Sequence, residues 1–455
     1  MTDKQAETEV KKFFVKTYGC QMNELDTDVM AGMLRQRGLE RTDDENEADL
    51  LLFNTCSIRD LAERKAMGKI GKLGKTLKKE AIIGVTGCMA NAKKETLFQK
   101  LPKIDFVLGT NNIHELNSVL DDVLVKKTKV LKTDAKFEHE IDYLSASRND
   151  KVKAHVSIIR GCDKFCTYCV VPYTRGPEVS RSPESIIEEC QMLVDKGYKE
   201  ISLLGQNVNS YGKDKPEWSC LFHDLLYRVD QIKGLERVRF MTSHPTDITR
   251  ELMEAVRDLP SLCEFVHFPL QAGSNRILRK MHRMYTKEEY MEKVALFRSI
   301  YPEVVLGTDI IVGFPTETDE EFQMTYDALK EIGYGVAFLF EYSPRKGTPA
   351  MRFKDDVPAE VKAERHRLLF DLQEEIMSRH RQEMLGTTVE VLVEDVTERD
   401  ETMLKGRTRC WKNVVFKGPR HLVGTLQNVE VKSFNHHTLL GDLTASIGTS
   451  LRVIS

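Results

Sequence analysis

The chain has 455 residues, 41% of them hydrophobic and 30% charged, with a formal net charge of −3. That is an ordinary composition for a soluble globular protein of about three domains, at roughly 150 residues each. The near-neutral balance excludes a global field that would announce a nucleic-acid partner, so any such partner must be read from local patches. The opening MTDKQAETEVKK has no apolar core, and no apolar run approaches the ~20 residues of a membrane span, so neither a signal peptide nor a membrane partner is expected. The expected location is cytoplasmic and reducing, where the ten cysteines are unlikely material for a disulfide framework.

From the N-terminus, FFVKTYG (13–19), DLLLFNTC (49–56), AIIGVTGC (81–88) and FVLGT (106–110) are short apolar runs separated by helical patterns. Runs of this kind predict parallel strands buried on both faces, hence an open α/β domain over 12–125. Cys20, Cys56 and Cys88 each fall at, or one residue past, the carboxyl end of one of the first three strands. That is the edge of an open α/β sheet where ligands bind. Three such cysteines form a candidate site; the alternative is three unrelated buried thiols.

Residues 124–151 are charged and irregular and read as a linker. Six further strand-like runs lie between 152 and 345, with helical patterns between them, such as 182–197 with Ser182 as N-cap, Pro183 in the first turn and Gly197 as C-cap. They predict a partial (β/α)6 barrel within 148–385, because a full barrel needs about 250 residues. A charged helix over 357–385 follows. From 387 to 455, short alternating strands predict a small antiparallel β-barrel. Within 402–432 seven Lys/Arg face one acid, Glu430. Lys405, Arg407, Arg409 and Lys412, interleaved with Trp411 and Phe416, read either as an RNA-contacting surface or as a solvated basic face with core aromatics.

The sharpest signal is RGCDKFCTYC, where Cys162, Cys166 and Cys169 are spaced C-x3-C-x2-C in the loop after the first barrel strand. A closed zinc site needs four ligands, and no fourth Cys or His lies nearby in sequence. Three thiolates suit a 4Fe–4S cubane with one iron open to the amino and carboxylate groups of S-adenosylmethionine, whose radical chemistry the cofactor carries. A zinc site completed from afar is the alternative. Tyr168 is placed to lie beside an adenine ring. Gln206, Asn207, Ser243, Gln271 and Asp309 fall at or near strand ends as cofactor-binding candidates, each equally an ordinary polar plug. Arg283, with Arg276, Arg279 and Lys280, reads either as a grip on phosphate or the cofactor carboxylate or as a solvated basic face. Asn23 and Asp26, just after Cys20, are placed to border the first triad and touch substrate. His244 and His267 read as hydrogen-bonded core histidines, and Cys190, Cys220, Cys263 and Cys410 as small buried apolar residues.

These segments resemble the radical S-adenosylmethionine superfamily, and the whole chain resembles its methylthiotransferases. TYGCQMNELDTD (17–28), NTCSIRDLAERKA (54–66) and TGCMA (86–90) match the N-terminal motifs, and RGCDKFCTYCVVPYTRGPEVSR (160–181) the radical motif. QMN after Cys20 and TYCVVPYTRG resemble the branch that modifies isopentenylated tRNA. The resemblance implies a second 4Fe–4S cluster on Cys20, Cys56 and Cys88 and a C-terminal TRAM domain. It implies one S-adenosylmethionine methylating a cluster-borne sulfur and a second yielding the 5′-deoxyadenosyl radical, for methylthiolation of adenine C2 at position 37. Implied partners are a tRNA anticodon stem-loop, a low-potential electron donor such as flavodoxin or ferredoxin, and an iron–sulfur carrier that resupplies sulfur. The residues alone also admit an RNA-binding iron–sulfur redox sensor or a zinc-stabilised RNA-binding module.

Overall fold

A computed structural model describes residues 10–57, 60–73, 77–78, 80–134 and 141–444. Residues 135–140 of the expected linker and 445–455 of the expected C-terminal barrel lie outside them.

The apolar runs of the first part form six strands: β1 (Lys12–Tyr18), β2 (Glu40–Arg41), β3 (Leu50–Thr55), β4 (Ile82–Gly87), β5 (Phe106–Leu108) and β6 (Val130–Lys132). All pair in parallel, in the order β2-β1-β3-β4-β5-β6. Alternation along β3 explains why its sequence is apolar throughout. Leu50 and Leu52 pack with Leu25, Val29 and Leu120 from the helices Gln21–Gln36 and Leu116–Lys126. Leu51 and Phe53 face the other way, toward Ala66, Ile70 and Met89. A strand covered by helices on both sides has no polar face. β6 departs from expectation: three residues of the supposed linker hydrogen-bond to β5 as a sixth strand, past the anticipated boundary at 125.

The central strands are β7 (Lys153–Ser157), β8 (Ile159–Arg160), β9 (Val179–Ser180), β10 (Glu200–Leu204), β11 (Arg237–Phe240), β12 (Phe265–His267), β13 (Val305–Val312) and β14 (Val336–Glu341). Among the described residues, two parallel ladders, β7-β10-β11 and β12-β13-β14, are linked by the isolated bridge Val238–Leu262. The six β/α units thus make an open barrel whose free edges are β7 and β14. The helix Pro183–Asp195 starts as expected, with the Ser185 N–H donating to Ser182 Oγ at 3.2 Å, and Gly197 lies just past its end at φ +96°. β8 and β9 form a separate two-stranded ladder that closes the cysteine-bearing loop.

The helix Ala359–Glu383 packs along β14 and leads to β15 (Thr388–Val396), β16 (Met403–Thr408), β17 (Asn413–Lys417), β18 (Leu426–Phe434) and β19 (Thr438–Leu443). They close in the order β15-β16-β17-β19-β18 around Val391, Val393, Leu404, Val414, Phe416 and Val429. The barrel is not wholly antiparallel, because β17 and β19 pair in parallel. Cys190, Cys220 and Cys263 are buried as expected, whereas Cys410 is only partly buried, its sulfur 3.2 Å from Thr408 Oγ1.

Candidate active site: two cysteine triads and a polar mouth

Strand register decides where the first triad sits. Tyr18 pairs with Thr55, and Thr55 with Gly87, so one rung runs across β1, β3 and β4. Cys56 and Cys88 follow that rung directly, and Cys20 follows two residues later. Adjacent strands are about 4.8 Å apart, so residues far apart in sequence are neighbours here. Cys20 is the N-cap residue of Gln21–Gln36, and Cys88 opens the helix Cys88–Lys93. Gly87 stands at φ +89°, where an added Cβ would lie 2.4 Å from Asn54 Oδ1 and 2.5 Å from the Thr55 carbonyl. Cys56 and Cys88 are 1% exposed. Burial raises the Cys20 thiol pKa, and the Arg175 guanidinium partly offsets this.

The second triad lies in the loop held shut by β8 and β9. Gly161 takes φ +78°, and any side chain there would collide with the Pro177 carbonyl at 1.8 Å. The Cys162 N–H donates to the Gly176 carbonyl at 3.1 Å, and the Lys164 N–H to Cys162 Sγ at 3.4 Å. Thr167 ties the loop to the barrel, its hydroxyl donating to the Lys280 carbonyl at 2.8 Å. Burial pushes the Cys162 and Cys169 thiols up to about 12, neighbouring cysteines adding to it. Cys88 is among the charges acting on Cys169, so the two triads sit within electrostatic reach of each other. Among the described residues no group of three His, Cys, Asp or Glu side chains is disposed to hold a single metal ion. A cubane makes no such demand, since each of its irons takes its own thiolate.

The expected cofactor residues surround this loop. Arg283, 6% exposed, donates through Nη1 to Cys166 Sγ at 3.3 Å and through Nε to Tyr285 Oη at 2.9 Å. Tyr168 is partly buried; burial raises its phenol well above the ordinary range, against the pull of Arg283. Gln206 Oε1 accepts the Gly161 N–H at 2.6 Å. Asn207 Nδ2 donates to Asp247 Oδ2 at 2.8 Å. His267 Nε2 and Asp309 Oδ1 are 3.2 Å apart. At the carboxyl ends of three consecutive strands, β10, β11 and β12, the buried atoms Asn207 Oδ1, Ser243 Oγ, His267 Nδ1 and Gln271 Oε1 have no hydrogen-bond partner in the protein. An unmet buried polar group costs about 1–3 kcal/mol, and four around one mouth mark a place for a polar ligand. Gln271 also holds φ +71°, a strain of the kind that clusters at binding sites. His267 is buried and paired through Nε2, as a core histidine should be, but its Nδ1 is left without a partner.

Other expectations need correction. Asn23 borders the first triad as expected, but it and Asp26 are 0% and 1% exposed and spend their polar atoms on protein partners. They sit in a polar seam between the N-terminal domain and the barrel. Asp26 accepts Arg160 Nη1 at 2.9 Å and Arg175 Nη2 at 3.0 Å. Asn23 Oδ1 lies 3.4 Å from Cys20 Sγ and 3.3 Å from Arg175 Nη2. Neither arginine was singled out in the sequence, although both flank the C-x3-C-x2-C motif. Arg276 and Lys280 do not form a free basic face: Arg276 Nε is 2.7 Å from Glu321 Oε1, and Lys280 donates to Thr316 Oγ1 at 2.7 Å.

The basic patch of the C-terminal barrel is largely spent on docking. Trp411 stacks on Phe265 at 5.4 Å, with the guanidiniums of Arg407 and Arg239 at 4.6 and 5.0 Å from its ring. Arg409 reaches Glu264 at 2.8 Å and the Leu262 carbonyl at 2.6 Å; Lys412 donates to the Gly335 carbonyl at 3.1 Å. Phe265, Glu264, Leu262 and Gly335 lie at the amino ends of their strands, opposite the cysteines. Lys405 keeps a loose pair with Asp395 at 3.8 Å. A groove of about 660 Å³ opens between β14, the helix Ala359–Glu383 and this barrel, and Arg407, Trp411 and Lys412 line it.

Residues 12–109 match Uncharacterized protein family UPF0004, and residues 156–329 match the Radical SAM superfamily. The radical S-adenosylmethionine methyltransferase TsrM from Kitasatospora setae shares the fold with a TM-score of 0.55 at 14% identity, over 75% of this chain and 74% of that one. An open barrel with a three-cysteine loop at its mouth is thus the framework of a radical S-adenosylmethionine enzyme, a class that works with a 4Fe–4S cluster and S-adenosylmethionine. The tRNA-2-methylthio-N(6)-dimethylallyladenosine synthase of Protochlamydia amoebophila (strain UWE25) is 71% identical over 434 residues, 95% of this chain and 96% of that protein. That of Clostridium botulinum (strain Loch Maree / Type A3) is 46% identical over 437 residues, 95% and 97% of the two. The chain belongs to this family of radical methylthiotransferases.

Proposed function

We propose that the chain methylthiolates C2 of N6-isopentenyladenosine at position 37 of tRNA. In this reading Cys162, Cys166 and Cys169 hold the radical cluster, and Cys20, Cys56 and Cys88 hold a second 4Fe–4S cluster. The observation that carries it is the shared rung of β1, β3 and β4, which gathers three otherwise unrelated thiols beside the radical loop. Both triads suit the group: each offers three sulfur donors, and each sits behind a glycine that no side chain could replace. When bound, the clusters and two S-adenosylmethionines supply a methylated sulfur and a 5′-deoxyadenosyl radical, so that an unactivated aromatic C–H can be replaced.

The protein's own residues do the rest. Arg283 and Gln206 fix the loop that bears the radical cysteines. Asn207, Ser243, His267 and Gln271 offer unmet donors and acceptors to the amino-acid and ribose groups of S-adenosylmethionine, with Tyr168 and Asp309 beside them. The Asp26–Arg160–Arg175 seam and the packing of the helix Val171–Arg175 on Cys88–Lys93 join the domain of the first triad to that of the second. On the C-terminal barrel, the TRAM domain of this reading, Lys405, Lys417 and Arg420 are left to meet the anticodon stem-loop. A low-potential donor such as flavodoxin or ferredoxin, and an iron–sulfur carrier, complete the cycle in the cytoplasm.

Nucleoside mass spectrometry of tRNA from cells lacking the protein tests the substrate. Loss of the 2-methylthio nucleoside with accumulation of isopentenyladenosine is expected; unchanged nucleosides refute it. About eight irons and eight sulfides per reconstituted chain are expected for two clusters. Formation of 5′-deoxyadenosine separates an enzyme from a redox sensor.

A further inference from the structure

The polar seam beside the first triad is out of charge balance. Two guanidiniums, Arg160 and Arg175, each 2% exposed, share a single buried carboxylate, Asp26. One positive charge is left over in a place water does not reach, and buried charge needs a partner. The unmet donor is on Arg175. Its Nη2 serves Asp26 and Asn23, while its Nη1 is buried without a well-formed hydrogen bond, and the guanidinium faces the Cys88 and Cys20 thiols. The side chain stands against the triad: Asn23 Oδ1, which it contacts at 3.3 Å, lies 3.4 Å from Cys20 Sγ. Its helix, Val171–Arg175, packs on the helix that begins with Cys88, Asn91 Nδ2 donating to the Thr174 carbonyl at 2.7 Å.

We propose that Arg175 is the sulfur-holding arm of the N-terminal site: its Nη1, turned to the triad, donates to an anionic sulfur species on the group bound by Cys20, Cys56 and Cys88, and fixes the sulfur to be transferred. This rests on the reading of that triad as a cluster site. A planar fork with a second donor to spare suits the task, since one guanidinium can hold Asp26 with one arm and an anion with the other. Arg175 belongs to the radical segment, six residues after Cys169, so one side chain joins the sulfur source to the radical loop.

The test uses the full chain carrying C162A, C166A and C169A, so that only the N-terminal cluster is reconstituted. Hydrosulfide is titrated while the electron paramagnetic resonance spectrum of the reduced cluster is followed. A charge-assisted hydrogen bond is worth about 1.5–3 kcal/mol, so R175M should raise the half-saturating hydrosulfide concentration about tenfold or more. R175K, which keeps the charge on Asp26 and is the milder change for folding, should fall between. R160M disturbs the same seam without facing the triad and should stay within about threefold of the parent. Unshifted titrations in both Arg175 variants, or an equal shift in R160M, overturn the proposal and leave Arg175 a structural residue. A parent that binds no iron at all overturns the cluster reading itself, an outcome visible before any hydrosulfide is added.

Discussion

Asp26→Ala is the sharpest test of how the two domains are joined. The carboxylate is 1% exposed and accepts from Arg160 at 2.9 Å and Arg175 at 3.0 Å, the two pairs spanning 134 and 149 residues of sequence. Alanine leaves both guanidiniums buried with no counter-charge, and removing one partner of a buried pair costs about 3–5 kcal/mol. At 1.4 kcal/mol per factor of ten, opening of the seam becomes roughly a hundred to several thousand times more frequent. Native-state hydrogen exchange of the full chain reads this directly. Amides of the helices Val171–Arg175 and Cys88–Lys93, which meet across the seam, should exchange faster by that factor, while those of β15 and β18 in the distant C-terminal barrel should not change. Asp26→Asn, which keeps the shape and one acceptor, should have a smaller effect. If Asp26→Ala speeds these amides by less than tenfold, the ion pairs do not hold the domains together and the argument fails.

On the proposed two-cluster reading, Gly87→Ala should cut the iron content of the reconstituted chain by about half while 5′-deoxyadenosine still forms, and Gly161→Ala should abolish that product; iron analysis and product chromatography separate the two. Trp411→Ala removes the half-buried ring stacked on Phe265, a pairing worth about 0.5–1.5 kcal/mol beyond the area it covers, and should loosen the C-terminal barrel, seen as faster proteolysis between 384 and 388. Burial, aided by Lys153, holds His155 neutral and lowers its pKa to about 4. The unfolded chain therefore takes up a proton that the folded chain refuses, and stability should fall by up to about 3 kcal/mol as pH drops from 6.5 to 4. His155→Phe should flatten that slope in denaturant melts followed across the pH range.

Much of this architecture was legible beforehand, because buried parallel strands write themselves as unbroken apolar runs and cysteine spacing speaks for its own chemistry. Leu50–Thr55 and Ile82–Gly87 are the plainest cases. What escaped depended on partners remote in sequence. Nothing local to Asp26 indicates that two arginines more than 130 residues away will enclose it, or that Asn23 will meet one of them. The basic segment around Trp411 has one composition whether it meets RNA or the floor of the barrel, and only the stacking on Phe265 separates the two. β6 was hidden because three residues in a charged stretch carry no periodicity.

The incomplete ring of the central barrel leaves two strands, β7 and β14, with one side unpaired, the arrangement that invites sheets to add to one another. Each is covered by a neighbour: the helix Gln21–Gln36 lies against β7, and the helix Ala359–Glu383 against β14, where His366 Nε2 is 3.2 Å from the Leu339 carbonyl. The N-terminal domain therefore shields one edge of the core and the core's own last helix the other. A fragment beginning near residue 148 would expose the β7 edge and should aggregate even with its three cysteines intact, so this core is not a portable module.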